Sequence, residues 1–304
     1  MTTSPKRRVC SRLLSPGEKG GLIELIRNLV TTTTSHPDVR RDLMDWGVWV
    51  LEFSKCRSLK PRVCIQLANA RNTHGQQVFA VGEFWNSDVA KLVRDIRAFP
   101  GEMCFFDVPL HQNFFLAGQQ GSKFDLRKIL HGSLVQARPR DACTFVDNHD
   151  TRPEGSLVSW VGLVACYQPA RDVSLTIHRC VYHGDIFPDP ESHIGRDLPA
   201  KIEVLCAARK LYAYGGLRDY FTEKNLIGFV RSGDDKHPGG CAVVMCNLLE
   251  SERTGETGIA MNVGANNAGS WKNLLDPSAT TVTVPSSGNG WFPCSEQVAV
   301  WVKS

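Results

Sequence analysis

Val78-Phe79-Ala80-Val81-Gly82 runs into Glu83-Phe84-Trp85, and Thr144-Phe145-Val146 runs into Asp147-Asn148-His149-Asp150. These two stretches decide the fold class. A run of about five apolar residues bounded by polar ones suits a strand buried on both faces, as the parallel sheets of α/β folds require. Each run then stops on a carboxylate.

In a (β/α)8 barrel the catalytic groups sit where strands end at the C-terminal face, so a carboxylate closing a buried strand is well placed for chemistry. Two such ends fit one shared site. Paired carboxylates can divide into a protonated acid and an ionised partner, the arrangement of glycoside hydrolysis. The same residues also fit helix N-caps or solvated strand ends, because acidic residues commonly open helices. Spacing alone leaves both readings open.

The residues themselves carry more. Val81-Gly82-Glu83-Phe84-Trp85, Phe106-Asp107-Val108-Pro109-Leu110-His111 and Phe145-Val146-Asp147-Asn148-His149-Asp150 resemble, in order and spacing, motifs of the α-amylase family, glycoside hydrolase family 13, in its liquefying, intracellular-type branch. Asp38 to Leu51, and Gly184-Asp185 followed by a Lys- and Arg-rich helix, match the same pattern. The resemblance covers roughly residues 36 to 52 and 78 to 304, and the Asn-His-Asp block is its most specific part.

The resemblance implies Glu83 as general acid/base, Asp150 as the carboxylate that stabilises the distorted sugar, and His149 as a hydrogen-bond partner of sugar hydroxyls. Phe84 and Trp85 would offer aromatic faces to the substrate. Apolar surroundings of the kind Glu83 has in sequence raise a carboxyl pKa by desolvation, which suits a proton donor near neutral pH.

Composition agrees with a globular chain. The 304 residues are 42% hydrophobic and 22% charged, enough for a substantial core and one large domain with a smaller appendage. A net charge of +4 is too small to argue for nucleic acid and is compatible with a neutral, polyhydroxylated substrate. Eleven cysteines, an odd number without a Cys-x-x-Cys pair, read as reduced thiols in a cytoplasmic protein, and no zinc-type spacing occurs. Val9 to Leu14 is interrupted by Cys, Ser and Arg and makes no signal-peptide core. No apolar run approaches the roughly 20 residues that span a bilayer. A cytoplasmic monomer acting on α-glucan, without nucleic-acid or membrane partners, is the expectation.

Along the chain, residues 1–18 read as a disordered basic tail, and Leu22 to Val30 as a short amphipathic helix. His36-Pro37-Asp38 opens a helix whose apolar residues recur through Val50. Phe53 to Gln77 alternates basic residues with short apolar pieces; it reads as a solvated loop sooner than as a nucleic-acid contact. Asp88 opens a helix through Phe99, Cys104 to Val108 reads as a strand, Phe124 to Leu130 as a helix, and Ala142 to Val146 as a strand. Pro199 starts a helix through Leu211. From residue 223 the texture becomes short β-prone pieces separated by Gly, Asn, Ser and Pro. The expected architecture is therefore α/β: a (β/α)8 TIM-type barrel, incomplete at its N-terminal side, over residues 19–222, followed by a small antiparallel β-sandwich over residues 223–304.

Two departures from the family pattern stand out. The strand with Gly-Phe-Arg-x-Asp, which carries the nucleophilic aspartate, is absent, and between Glu52 and Glu83 there is no Asp or Glu at all. Only 82 residues precede Glu83, whereas the four strand-helix units before the equivalent strand need roughly 120. Calcium is implied by the resemblance alone, since the missing stretches contribute much of the family's calcium site. Two functions remain open: an α-amylase-like hydrolase of internal α-1,4-glucosidic bonds with impaired activity, or a non-catalytic relative that at most binds α-glucan.

Overall fold

The computed structural model describes residues 48–52, 79–97, 103–148, 151, 178–182, 185, 198–255 and 257–304. The basic tail, the helices expected at 22–30 and from His36 to residue 47, and the segment Phe53 to Gln77 lie outside them. So do His149 and Asp150. The chain forms two compact units. One comprises Met1–Phe84 and Arg97–Met103, the other Trp85–Ile96 and Cys104–Ser304.

In the first unit, β1 (Val48–Glu52) and β2 (Phe79–Glu83) pair in parallel, with Val48 opposite Phe79 and Glu52 opposite Glu83. The β2 run is the strand that its apolar composition predicts. The helix expected through Val50 is corrected over its last residues, because Val48–Glu52 is extended. Val-Trp-Val-Leu is a β-branched and aromatic run, and a parallel partner satisfies its backbone as a strand.

The second unit opens with α1 (Val89–Ile96), where Asp88 accepts from the amides of Ala90 and Lys91 and caps the first turn. Leu92 and Ile96, four apart on one face, are completely buried. Strand β3 (Cys104–Phe106) leads directly into α2 (Val108–Gln120). After the short helix α3 (Leu134–Ala137), β4 (Ala142–Phe145) pairs in parallel with β3 on one side and with β5 (His178–Cys180) on the other. All of Ala142–Phe145 is buried, as a strand covered on both faces should be. The helix expected at Phe124 to Leu130 is only a 3-10 turn, Leu126–Lys128. The long helix lies earlier, where Asp107 caps and Pro109 falls in the first turn.

Helix α4 (Leu198–Tyr212) buries Leu198, Ile202, Leu205 and Ala208 at helical spacing. The chain then becomes antiparallel. A six-stranded sheet runs in the order β11 (Val282–Val284), β10 (Gly269–Asn273), β13 (Val298–Lys303), β8 (Cys241–Cys246), β7 (Leu226–Arg231) and β6 (Leu217–Tyr220). A two-stranded ribbon of β9 (Gly258–Asn262) and β12 (Asn289–Pro293) completes it. Ribbon and sheet share one core containing Val244, Ile259, Met261, Trp271, Phe292 and Trp301. The two indoles are buried with their N–H groups satisfied, Trp271 by the Asn267 carbonyl at 2.9 Å and Trp301 by that of Pro293 at 3.0 Å. Gly228 is bare because a Cβ there would meet the Met261 sulfur at 2.7 Å and the Val243 carbonyl at 2.9 Å.

Asn247, at the end of β8, ties this sheet to the first helices of the unit. Its Nδ2 donates to the carbonyls of Gly121 (2.8 Å) and Phe124 (2.9 Å), and its Oδ1 accepts from Asn225 Nδ2 at 2.7 Å. Asn225 in turn donates to the Ser122 carbonyl. The end of α2 and the sheet are thus held through side-chain amides that reach backbone carbonyls.

The cysteines among the described residues are free thiols, most of them buried. Burial pushes the Cys104 thiol up to about 12. Among the described residues no helix is long and apolar enough to cross a membrane.

Candidate active site

Glu83 is the last residue of β2 and is 8% exposed. It belongs to the first unit, as does Phe84, which is half-buried. Its in-register neighbour is Glu52, so two carboxylate residues close adjacent parallel strands at the same level.

The other site residues within the described chain are in the second unit. Asp107 follows β3 and is fully buried. Its carboxylate accepts from the amides of Leu110 (3.1 Å), Leu134 (2.9 Å) and Val135 (2.7 Å), and so caps α2 and α3 together. Burial pushes its pKa up to about 6, against the pull of those three amide donors. Its job is structural: it fixes the start of the helix that carries His111.

His111 is 4% exposed, one turn into α2. Its Nδ1 lies 2.6 Å from the Val146 carbonyl, and a carbonyl only accepts, so Nδ1 carries a proton. The imidazole stacks on Phe145, with ring centres 5.0 Å apart and planes within 7°. Trp85 leans on both, 5.5 Å from His111 and 6.1 Å from Phe145, yet remains 43% exposed. The indole is therefore held by an aromatic bed while half of it faces solvent.

Strand β4 then runs into the loop that contains the Asn-His-Asp block. Asp147 is buried. The Asn148 amide donates to Thr151 Oγ1 at 3.1 Å, and the Thr151 amide donates to Asn148 Oδ1 at 3.0 Å. This reciprocal pair brackets positions 149 and 150. His149 and Asp150 lie outside the described residues. Thr151 lies outside the motifs that carry the resemblance, whereas His111 lies within one of them. An Asn and a Thr three apart is the available signal for the first, a side-chain-closed turn.

No protein-family model matches the chain. Over 284 residues, which are 88% of this chain and 53% of the relative, it is 34% identical to the glucan 1,4-alpha-maltohexaosidase of Bacillus sp. (strain 707). Over 283 residues, 88% of this chain and 50% of the relative, it is 33% identical to the alpha-amylase of Geobacillus stearothermophilus. The chain is a relative of the α-amylases. It spans about half the length of the curated α-amylases it matches. An Anoxybacillus alpha-amylase structure superposes with a TM-score of 0.59 at 13% identity, covering 92% of this chain and 62% of that one. At that identity the likeness speaks for the fold alone. The expected family is borne out.

Proposed function

We propose that the chain is an α-amylase-like glycoside hydrolase acting on internal α-1,4-glucosidic bonds of starch- or glycogen-type glucans, with turnover far below that of a complete family member. The observation that carries this is Glu83: a buried carboxylic acid closing a parallel strand, in a chain whose relatives are α-amylases. In this reading Glu83 gives a proton to the leaving glycosidic oxygen and later takes one from water. Asp150, on the loop bracketed by Asn148 and Thr151, stabilises the positive charge that develops on the sugar. His149 holds sugar hydroxyls, and Phe84 and Trp85 offer faces on which pyranose rings stack.

The architecture belonging to this reading is an incomplete (β/α)8 barrel to residue 222 with a β-sandwich after it. Low turnover follows from the sequence between Glu52 and Glu83, which lacks the strand with the family's nucleophilic aspartate. Calcium is implied by the family resemblance alone. Among the described residues no group of three or more His, Cys, Asp or Glu side chains is placed to hold a metal ion, and no step runs through one.

A second reading is favoured by Trp85, whose half-exposed indole on a fixed aromatic bed needs no acid catalysis to bind a sugar. In that reading the chain binds α-glucan without cleaving it. Affinity electrophoresis in glycogen together with reducing-sugar release from starch separates the two. Retardation with slow release that Glu83→Gln abolishes supports the hydrolase. Retardation with no release leaves the binder, and migration unchanged by glycogen counts against both. Release at an ordinary rate, on the order of 10 per second, would show that the chain is not impaired.

A further inference from the structure

We infer that the outer face of the β9–β12 ribbon carries a second α-glucan contact, built on Trp291 and Asn289 and made by residues other than those assigned to catalysis. The inference takes its ligand class from the α-glucan reading above and adds a place on the chain where that ligand is held.

In β12 the side chains alternate: Gly290 and Phe292 are buried, while Asn289 and Trp291 point outward. In β9, paired with it in register, Met261 is buried and Ala260 is exposed opposite Trp291. Trp291 is 50% exposed. Its indole is seated on bare backbone. A Cβ at Gly258 would meet Nε1 of the indole at 2.7 Å and Cε2 at 2.9 Å, so glycine there leaves the ring its place. Ala260, the residue facing it, is too short to cover it. The result is a flat ring held in water by a ribbon of five registered residue pairs.

Beside the ring stands an oriented donor. Asn289 precedes Trp291 by two residues, about 7 Å along the strand, and lies on the same face. Its Oδ1 accepts from Asn262 Nδ2 at 2.7 Å. Asn262 is itself fixed, because its Nδ2 also donates to the Ser287 carbonyl at 3.1 Å and its Oδ1 accepts from Arg218 at 2.9 Å and from the Gly264 amide at 3.0 Å. The Asn289 carboxamide therefore turns its oxygen to Asn262 and its Nδ2 away from it. Among the described residues no acceptor takes the two protons of that Nδ2.

A pyranose offers what these two groups need. Its C–H face is apolar and packs on an indole, and its hydroxyl oxygens accept from a carboxamide. A chain of such rings reaches both groups at once. Area argues against a protein partner: an indole presents at most about 250 Å², whereas a specific protein interface buries about 800 Å² on each side. Around Trp291 the outer face of the ribbon adds Ala260, Pro293 and the two asparagines, so the apolar patch hardly extends beyond the indole itself.

Affinity electrophoresis of the full chain over a series of glycogen concentrations tests the site. Trp291→Ala is expected to raise the dissociation constant about tenfold, which corresponds to returning about 60 Å² of apolar surface to water, while the urea midpoint stays near that of the parent. Asn289→Asp keeps the acceptor for Asn262 and replaces the donor with an anion, so it is expected to weaken binding severalfold, and it carries the test should the alanine variant fold poorly. Maltoheptaose added to the gel is expected to release the parent. Retardation of the folded variants equal to that of the parent overturns the ribbon site and leaves the α-glucan reading standing. A parent that glycogen does not retard overturns that reading, and the ribbon site with it. A parent that is a dimer without glucan, and a monomer as Trp291→Ala, assigns the face to a second copy of the chain and overturns the proposal.

Discussion

Asn148 and Thr151 hold each other by reciprocal bonds, each backbone amide donating to the other's side-chain oxygen at 3.1 and 3.0 Å. The Thr151 hydroxyl has one proton, which goes to Asn148 Oδ1 at 3.1 Å or to Asp147 Oδ1 at 3.4 Å. Thr151→Val keeps the shape and removes both functions of the hydroxyl, leaving the Asn148 amide without its acceptor. The expected loss is about 2 kcal/mol, read as a lower urea midpoint, with Thr151→Ser close to the parent. Because positions 149 and 150 lie between the two residues, starch hydrolysis should fall in the valine variant as well. A valine variant as stable as the parent would show that the clasp is incidental.

His111 joins α2 to the end of β4. Replacing it with Phe keeps a ring to stack on Phe145 but strips the donor from the Val146 carbonyl. An unsatisfied buried acceptor costs about 1 to 3 kcal/mol, so His111→Phe should unfold earlier in urea. Trp85 fluorescence should also change, because the indole rests on the His111 ring. An unchanged emission spectrum would mean that the ring contact does not persist in solution.

Asp107 provides a pH test. Burial raises its pKa from 3.8 to about 6 in the fold. Between those values the folded chain binds more protons at this site than the unfolded chain, so the Asp107 contribution to stability is fully present below about pH 4 and is lost as pH rises through about 6. Asp107→Asn cannot titrate. The stability difference between parent and variant should therefore narrow from pH 4 to pH 7, measured as urea midpoints. A gap that widens over this range would show that the three amide donors outweigh burial and keep the carboxylate ionised. Asp107→Ala removes the cap from α2 and α3 together and should cost about 3 kcal/mol at pH 4, with the same narrowing toward pH 7.

Much of this fold was legible in the sequence because parallel strands buried on both faces are short uniform apolar runs. Phe79 to Gly82 and Ala142 to Phe145 needed nothing else. Helix α2 was hidden because its apolar residues lack a clean 3.6 period, and its start was written in Asp107 and Pro109 rather than in hydrophobicity. Val48–Glu52 was hidden for the opposite reason: the apolar spacing from Val39 to Val50 satisfies a helix, and only the pairing with β2 chooses the strand. Strands β6, β10 and β12 expose Arg218, Asp219, Lys272 and Asn289, and they become visible only once the neighbouring strands are in place. In the site, Glu83 and Trp85 could be chosen from motif residues.

The junction at Asn247 bears on how the α/β part and the antiparallel sheet behave as bodies. Asn247 is 5% exposed, and both ends of its amide are engaged, with the carbonyls of Gly121 and Phe124 as acceptors and Asn225 as donor. The Leu126 amide adds a bond to the Lys224 carbonyl at 2.8 Å, so the 3-10 turn and the chain just before β7 are also fastened. Leucine at position 247 fills a similar volume but removes the Asn247 donor from the Phe124 and Gly121 carbonyls, of which Gly121 keeps the Phe124 amide, and removes the acceptor of one Asn225 N–H, whose Nδ2 keeps the Ser122 carbonyl. A loss of about 2 to 4 kcal/mol follows from those groups together, and it falls on the junction rather than on the core around Trp271 and Trp301. Limited proteolysis should then cut Asn247→Leu faster than the parent between Phe221 and Asn225, leaving the sheet from β7 onward as a resistant fragment. If the variant is instead degraded throughout residues 242 to 302 at the same rate, the sheet does not hold without the helices, and the proposed boundary at residue 223 does not separate two independently folding parts.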